Sequence, residues 1–280
     1  MDSLDGYVSD DELAIGPLAD LGWEVQSVSW RDKTIDWNVF DIVVIRTTWD
    51  YQSDPNSFLS VLETIESSKA RLENSLDVVK WNLDKRYLRE LAGRDVNVVP
   101  TIWDGFYDKE SFNVWLDELN TSELVVKPTV SATAEHTYRI REFDPNLADI
   151  FHARAFMVQP FMETIVTEGE YSLFYMGGEY SHTILKAPKR ADFRVQEEHG
   201  GIISAIEPTA RLREAGRNSF ETVQPSPLYA RVDLVRDADD DFALMELELI
   251  EPALYLRMNK HAPGRFAAAI DRHMNSTWQI

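Results

Sequence analysis

The densest carboxylate pattern in the chain is Met245-Glu246-Leu247-Glu248-Leu249-Ile250-Glu251-Pro252. On a strand, successive side chains point to opposite faces, so Glu246 and Glu248 share one face while Leu247 and Leu249 take the other. Asp233 belongs to the preceding apolar segment, and a turn centred near Asp239 sets it opposite about position 245, beside Glu246. Three gathered carboxylates repel one another unless a cation holds them, and all-oxygen ligation suits Mg2+ shared with nucleotide phosphates, in outline a two-metal site. The competing reading of Glu-x-Glu alone is a solvated strand face.

Cationic groups come at telling places. Lys127 ends Glu123-Leu124-Val125-Val126 directly before Pro128, so an ammonium leaves a buried strand where the chain must turn and can reach a phosphate as a point charge. Lys85 sits on a helical segment and is the weaker signal, since helical lysines are mostly solvated. Lys186-Ala187-Pro188-Lys189-Arg190-Ala191-Asp192-Phe193-Arg194, followed by His199-Gly200-Gly201, is a basic island in an acidic chain and favours a bound anion. Arg46, after an apolar strand, offers a planar fork for a carboxylate. Gln159-Pro160-Phe161-Met162 ends a strand with a carbonyl freed by proline and two apolar side chains, a lining for a nucleotide base, with Glu170 placed for a ribose. The hydroxyl-rich, glycine-free run Ser131 to Thr137 is readable as a phosphate loop or as a plain turn. Each of these features also has a surface or strand-exit explanation when taken singly.

Other chemistries are excluded more firmly. The absence of cysteine removes disulfides, thiolate catalysis and Cys-ligated zinc, and suits a cytoplasmic protein. No His-x-x-x-His pair, Gly-x-Ser-x-Gly elbow, Walker loop or dinucleotide fingerprint occurs. A formal net charge of -20 repels a phosphate backbone, so no nucleic acid is expected as partner. No membrane association is expected either, because the acidic start lacks a signal peptide's regions and no apolar run approaches the roughly 18 residues that span a bilayer.

The elements that must position these residues follow from periodicity. A helix over Asp10 to Leu21 stops at Gly22, a short strand over Trp23 to Val28 follows, and Phe40 to Ile45 reads as a strand covered on both faces. With a helix over Pro55 to Ser67 this is a βαβ-like start and implies a parallel sheet; its opening strand is expected to be missing, since Met1 stands just ahead of the first helix. A helix capped by Asn82 carries Lys85 and ends at Gly93. Strands are expected at 96–99, 124–126 and 156–159, with a helix over Phe112 to Leu119. Two hairpins close the chain, one turning at Gly177-Gly178 and one at Asp237 to Asp241, before a helix from Pro263 to about His273. The fold class is therefore α/β at the start and α+β beyond.

Taken in order, Lys85, Val-Val-Lys127-Pro128, Gln159-Pro160-Phe161, Glu170, Asp233 and Glu246-x-Glu248 resemble the binding elements of the ATP-grasp superfamily. More narrowly, Arg46-Thr-Thr-Trp49-Asp50-Tyr51, Trp81-Asn82-Leu83-Asp84-Lys85-Arg86-Tyr87-Leu88, Asp192-Phe193-Arg194-Val195-Gln196 with His199-Gly200-Gly201, and Glu248-Leu249-Ile250-Glu251-Pro252 look like the group containing O-ureido-D-serine cyclo-ligase. The resemblance implies an ATP-grasp fold with an N-terminal subdomain over 1–78, a central lid over 79–158 and a C-terminal subdomain over 159–280 that bears the metal site. It implies Lys85 and Lys127 on ATP phosphates, Gln159 and Phe161 at adenine, Glu170 at ribose, and Asp233, Glu246 and Glu248 on Mg2+. Lys186 and Arg194 would steady the transferring phosphate or the substrate carboxylate, with Arg46, His199 and Gly200 on the substrate side. Two departures stand out: Glu248 occupies a place where many members carry Asn, and the central loop lacks glycine.

The activity implied is ATP- and Mg-dependent joining of a small carboxylate to an amine through an acylphosphate, on an amino-acid-like substrate and open to intramolecular cyclisation. A phosphotransferase and a non-catalytic nucleotide-binding module are the rivals, and a homodimer is left open.

Overall fold

Apolar runs separated by an amphipathic helix set up the N-terminal part in the computed structural model, which describes residues 1–131, 135–189, 193–195, 197 and 200–275. Helix α1 (Ile15–Asp20) continues a 3-10 turn and stops at Gly22, whose φ of +90° only glycine adopts readily. Strand β1 (Ile42–Val44) pairs in parallel with β2 (Arg71–Glu73) across α2 (Pro55–Glu66). Proline at its first turn and the Asp54 carboxylate, which accepts from the Ser57 backbone N–H, start α2. This is the expected βαβ start, with two corrections. Residues 23–28 form no strand; the Trp23 indole instead donates to Asp271 Oδ1 at 3.1 Å, tying the segment to the C-terminal helix. With only two strands in this sheet, β1 is half-buried rather than covered on both faces.

Helix α3 (Leu76–Asn82) ends where a helix was expected to begin, and α4 (Tyr87–Ala92) follows after a short connection that holds Lys85. The Asn82 side chain does not cap, because it is spent elsewhere: its amide donates to Leu247 O at 2.7 Å and accepts from Leu249 N at 2.9 Å. Tyr87, Leu88 and Leu91 lie on the buried face of α4, as their spacing requires.

Next comes a four-stranded antiparallel sheet in the order β3 (Ile102–Trp103), β6 (Phe156–Pro160), β4 (Leu124–Pro128), β5 (Tyr138–Ile140). Helices α5 (Lys109–Glu118) and α6 (Ala148–His152) supply Phe112, Trp115 and Phe151 to a core shared with Leu124, Val126, Phe156 and Val158. Strand β6 runs to Pro160, opposite Leu124, so a boundary drawn at 158 cuts through the strand. The expected strand at 96–99 is reduced to a bridge: Val98 pairs in parallel with Leu244, with Leu244 N donating to Asn97 O at 2.7 Å and Val99 N to Leu244 O at 3.0 Å.

A short helix α7 (Thr164–Thr167) leads into a five-stranded antiparallel sheet built from β7 (Glu170–Met176), β8 (Glu179–Ala187), β9 (Ile202–Ile206), β10 (Tyr229–Arg236) and β11 (Phe242–Glu248), in the order β11-β10-β7-β8-β9. Gly177 and Gly178 turn the first hairpin with φ of +59° and +85°, the sign a two-residue turn of matching twist needs. Leu173 and Tyr175 of β7 face α8 (Ala210–Glu221), while Phe174 and Met176 face α9 (Ala262–Asn275), so one fully buried strand serves two cores. Gly216 makes the α8 contact possible: a Cβ there would stand 2.6 Å from Leu173 Cδ2. In the second hairpin Asp233 pairs with Glu246 and Leu234 with Leu244, leaving Met245 as the extra residue of a bulge. Among the described residues no helix is long and apolar enough to cross a membrane.

Candidate active site

Pleating fixes the acidic end. Glu246 and Glu248 project from β11 on the face opposite the buried Leu247 and Leu249, and both line a cleft between the two antiparallel sheets. Lys85, Lys127, Gln159, Phe161, Glu170, Lys186 and Arg194 line the same cleft. Residues far apart in sequence, grouped by the family resemblance, are thus brought to one place.

The two lysines differ in state. Lys85 Nζ lies 3.1 Å from Glu246 Oε1 and donates to Ser131 O at 2.6 Å. The Lys127 side chain is buried, and among the described residues its ammonium makes no ion pair or hydrogen bond. Burial holds its pKa below the usual lysine range against the pull of Glu246, and Lys85 pushes the same way as burial. An unpartnered buried cation is costly, so Lys127 marks a place prepared for an anion.

Asp233 departs from expectation. Its carboxylate is buried behind the cleft, accepting from Arg231 Nε at 3.0 Å, from Lys186 Nζ at 3.3 Å and from the Ser172 hydroxyl. Burial opposes its ionisation, but Arg231 and Lys186 hold it below the usual carboxylate range. Among the described residues no three His, Cys, Asp or Glu side chains are placed to hold a metal together, so the expected trio is not preformed. Of the three, Glu246 and Glu248 line the cleft. Burial works against the charge on Glu246 while Lys85 and Lys127 favour it. Burial pushes Glu248 up to about 7, with Arg231 opposing and the charges of Glu246 and Asp233 adding to the rise. Two hard oxygen donors side by side fit Mg2+, which takes one or two carboxylates and completes its shell with water and phosphate oxygens.

Arg231 was not singled out by sequence, since one arginine in an apolar strand carries no motif. Its guanidinium bridges Asp233 and Glu248 and reaches the cleft. Glu170, expected at a ribose, lines the cleft and is paired with Lys186, which stands directly opposite in the β7–β8 register. The base-binding expectation has a matching surface: Phe161 lines the cleft with Val99, Met162 and Ile165, and the Arg139 guanidinium sits 3.5 Å above the Phe161 ring. The Gln159 amide also lines it and donates to Thr101 Oγ1 at 3.0 Å.

Arg46 is not in the lining. It is consumed by Asp11, at 3.0 Å, and by the Pro252 carbonyl, at 2.8 Å, which corrects its reading as a substrate-carboxylate ligand. Gly200 turns with φ of +84° and also lies off the lining. His199 falls outside the described residues, as do residues 132–134 of the hydroxyl-rich loop; Ser131 and Thr137 at its two ends line the cleft.

The same fold recurs in solved structures that differ widely in sequence. The ATP-grasp ligase PsnB, solved with a phosphomimetic variant of its minimal precursor, Mg and ADP, matches with TM-score 0.67 at 14% identity, covering 94% of both chains. The D-alanine–D-alanine ligase of Bacillus anthracis complexed with ATP matches with TM-score 0.67 at 17% identity, over 96% of this chain and 95% of the other. These likenesses show an ATP-grasp fold. Residues 1–74 match the family model described as the N-terminal domain of D-cycloserine synthetase DcsG, and the crystal structure of that synthetase superposes with TM-score 0.84 at 26% identity over 94% of each chain. The cycloserine biosynthesis protein DcsG of Streptomyces lavendulae is 30% identical across 89% of each chain, and this chain belongs to the DcsG family.

Proposed function

We propose that the protein joins the carboxylate of a small amino-acid-like substrate to an amine, using ATP and Mg2+, through an acylphosphate. A substrate carboxylate oxygen attacks the γ-phosphorus and ADP leaves; the amine nitrogen then attacks the acyl carbon, phosphate leaves, and a proton is lost from nitrogen. Lys127 and Lys85 hold phosphate oxygens, and Arg231, Lys186 and Arg194 stabilise charge on the transferring group. Phe161 and the apolar residues beside it receive the base, with Gln159 at its edge. Glu246 and Glu248 would hold the metal, which would supply positive charge to stabilise the phosphate oxygens. Phosphate binding draws Arg231 and Lys186 off Asp233, whose carboxylate then adds to the acidic side of the site. The four-stranded sheet with the helices packed on it acts as the lid that excludes water from the acylphosphate. That the similar DcsG is a cycloserine biosynthesis protein supports a ring-closing version, with acid and amine in one molecule.

The observation that carries this reading is Lys127: a buried ammonium without a partner among the described residues, lining one cleft with Glu246 and Glu248. The protein is incubated with ATP, Mg2+ and a panel of amino-acid-like acids, with hydroxylamine as trap. The expected result is a hydroxamate from a particular acid with equimolar ADP and phosphate. A stable phosphorylated product without free phosphate identifies a phosphotransferase, and absence of ADP release across the panel overturns the ligase reading.

A further inference from the structure

The N-terminal segment gives the cleft a stretch of lining whose chemistry differs from that of the lysines and arginines. Tyr7, Trp49 and Tyr51 line it together with Glu251. Tyr7 and Trp49 are tilted at 35° with ring centroids 5.3 Å apart. Tyr51 is fixed from behind by stacking on Phe58 at 5.0 Å. The Trp49 indole donates to the Glu251 carbonyl at 2.8 Å, so ring and acidic residue are positioned by one bond.

Glu251 is only 8% exposed, and among the described residues its carboxylate accepts no hydrogen bond and forms no ion pair. A buried carboxyl without a partner is expensive and calls for a ligand that supplies charge or donors. Burial first, and then the charge of Glu248, hold it well above the usual carboxylate range. The cations whose charge reaches it are taken: Lys85 by Glu246, and Arg231 by Asp233 and Glu248. One carboxylate in a lining shared with three aromatic side chains suits an organic ammonium, which gains from ring quadrupoles as well as from charge. It does not suit Mg2+, which requires oxygen donors at close to octahedral positions.

We propose that Glu251, with the rings of Tyr7, Trp49 and Tyr51, forms the subsite for the ammonium of an amino-acid substrate, an inference that rests on the ligase reading. The carboxylate of that substrate then points toward the phosphate end, and an acid lacking the ammonium is discriminated against at this wall.

The test runs the hydroxylamine trap with D- and L-amino acids, O-ureido-D-serine among them, alongside the N-acetyl derivative of each, on the wild-type protein, Glu251→Gln and Glu251→Asp. The expected result is hydroxamate from a free amino acid but not from its N-acetyl form. Glu251→Gln should raise KM for that amino acid by about tenfold or more, the loss of one charge-assisted contact, while KM for ATP and half-saturation by Mg2+ stay within about twofold. Glu251→Asp keeps the charge and should retain the preference for free amines with a smaller rise in KM. Equal use of N-acetylated acids overturns the proposal. So does a Glu251→Gln defect that appears in Mg2+ half-saturation instead, which makes the residue a metal ligand. Should the Gln variant fail to fold, the N-acetyl comparison on the wild type and the Asp variant decide. Hydroxamate from no acid at all defeats the ligase reading itself, and this subsite falls with it.

Discussion

Lys127 carries positive charge in a place where burial opposes it and where, among the described residues, nothing pairs with it. Function and stability therefore pull in opposite directions at this residue. Lys127→Met should weaken ATP binding by more than about tenfold, yet stabilise the nucleotide-free protein by about 1 kcal/mol, a rise in Tm of about 2–4 °C. Calorimetric melting and nucleotide titration of the same variant check both halves. Glu248 gives a pH signature. Its folded-state pKa, pushed up to about 7 from 4.5, means the folded chain takes up a proton before the unfolded chain does. Stability of the metal-free protein should accordingly fall as pH rises from about 4.5 to about 7, and Glu248→Gln should flatten that slope. Mg2+ affinity should move the other way, rising through the same window, because the metal competes with the proton. At this scale Lys127, Glu246 and Glu248 were legible because strand alternation and strand ends say where a side chain goes, whereas Lys85, on a helical segment, stood out only through the family resemblance. Arg231 was not, since its meaning comes from Asp233 two residues on and Glu248 across the ladder. Arg46 misled because a guanidinium after an apolar strand looks available until Asp11, from a distant segment, is placed against it.

Strand β11 does most of the positioning, and its end is held from outside the sheet. Asn82 brackets Leu247 O and Leu249 N, Tyr87 Oη accepts from Leu247 N at 2.8 Å, and Asn74 donates to Leu249 O at 2.6 Å. Asn82→Ala leaves two buried backbone groups unsatisfied and should cost about 2–4 kcal/mol, read as a lower midpoint in urea. It should also weaken Mg2+ binding, because Glu246 and Glu248 flank Leu247, where the chain is clamped. The same residue shows how element reading fails: asparagine before Leu83 looks like a helix cap, but its partners lie some 165 positions away in sequence. The hairpins, α2, α5 and α9 were legible from turn residues and periodicity. The short strands β2, β3 and β5 have too few residues to show a period, and the charge-rich α8 hides a buried face of only Leu212, Gly216, Ser219 and Phe220.

On the scale of the whole molecule, a net charge of -20 makes self-repulsion a destabilising term, so raising salt from low to moderate concentration should raise Tm. Ligand linkage acts on the same measurement. ADP with Mg2+ at about 100 times its dissociation constant should add about 2.7 kcal/mol to wild-type stability and far less to Lys127→Met. The cleft draws walls from the N-terminal segment, the four-stranded sheet and the five-stranded sheet. The internal ion pairs described above, Lys85 with Glu246 and Arg231 with Glu248, have a further consequence. A nucleotide arriving by itself strands the acids it separates from their lysine and arginine, and a metal arriving by itself strands the bases. Only the two together exchange every partner, so each should tighten the other's grip by the same factor, and neither alone should hold well.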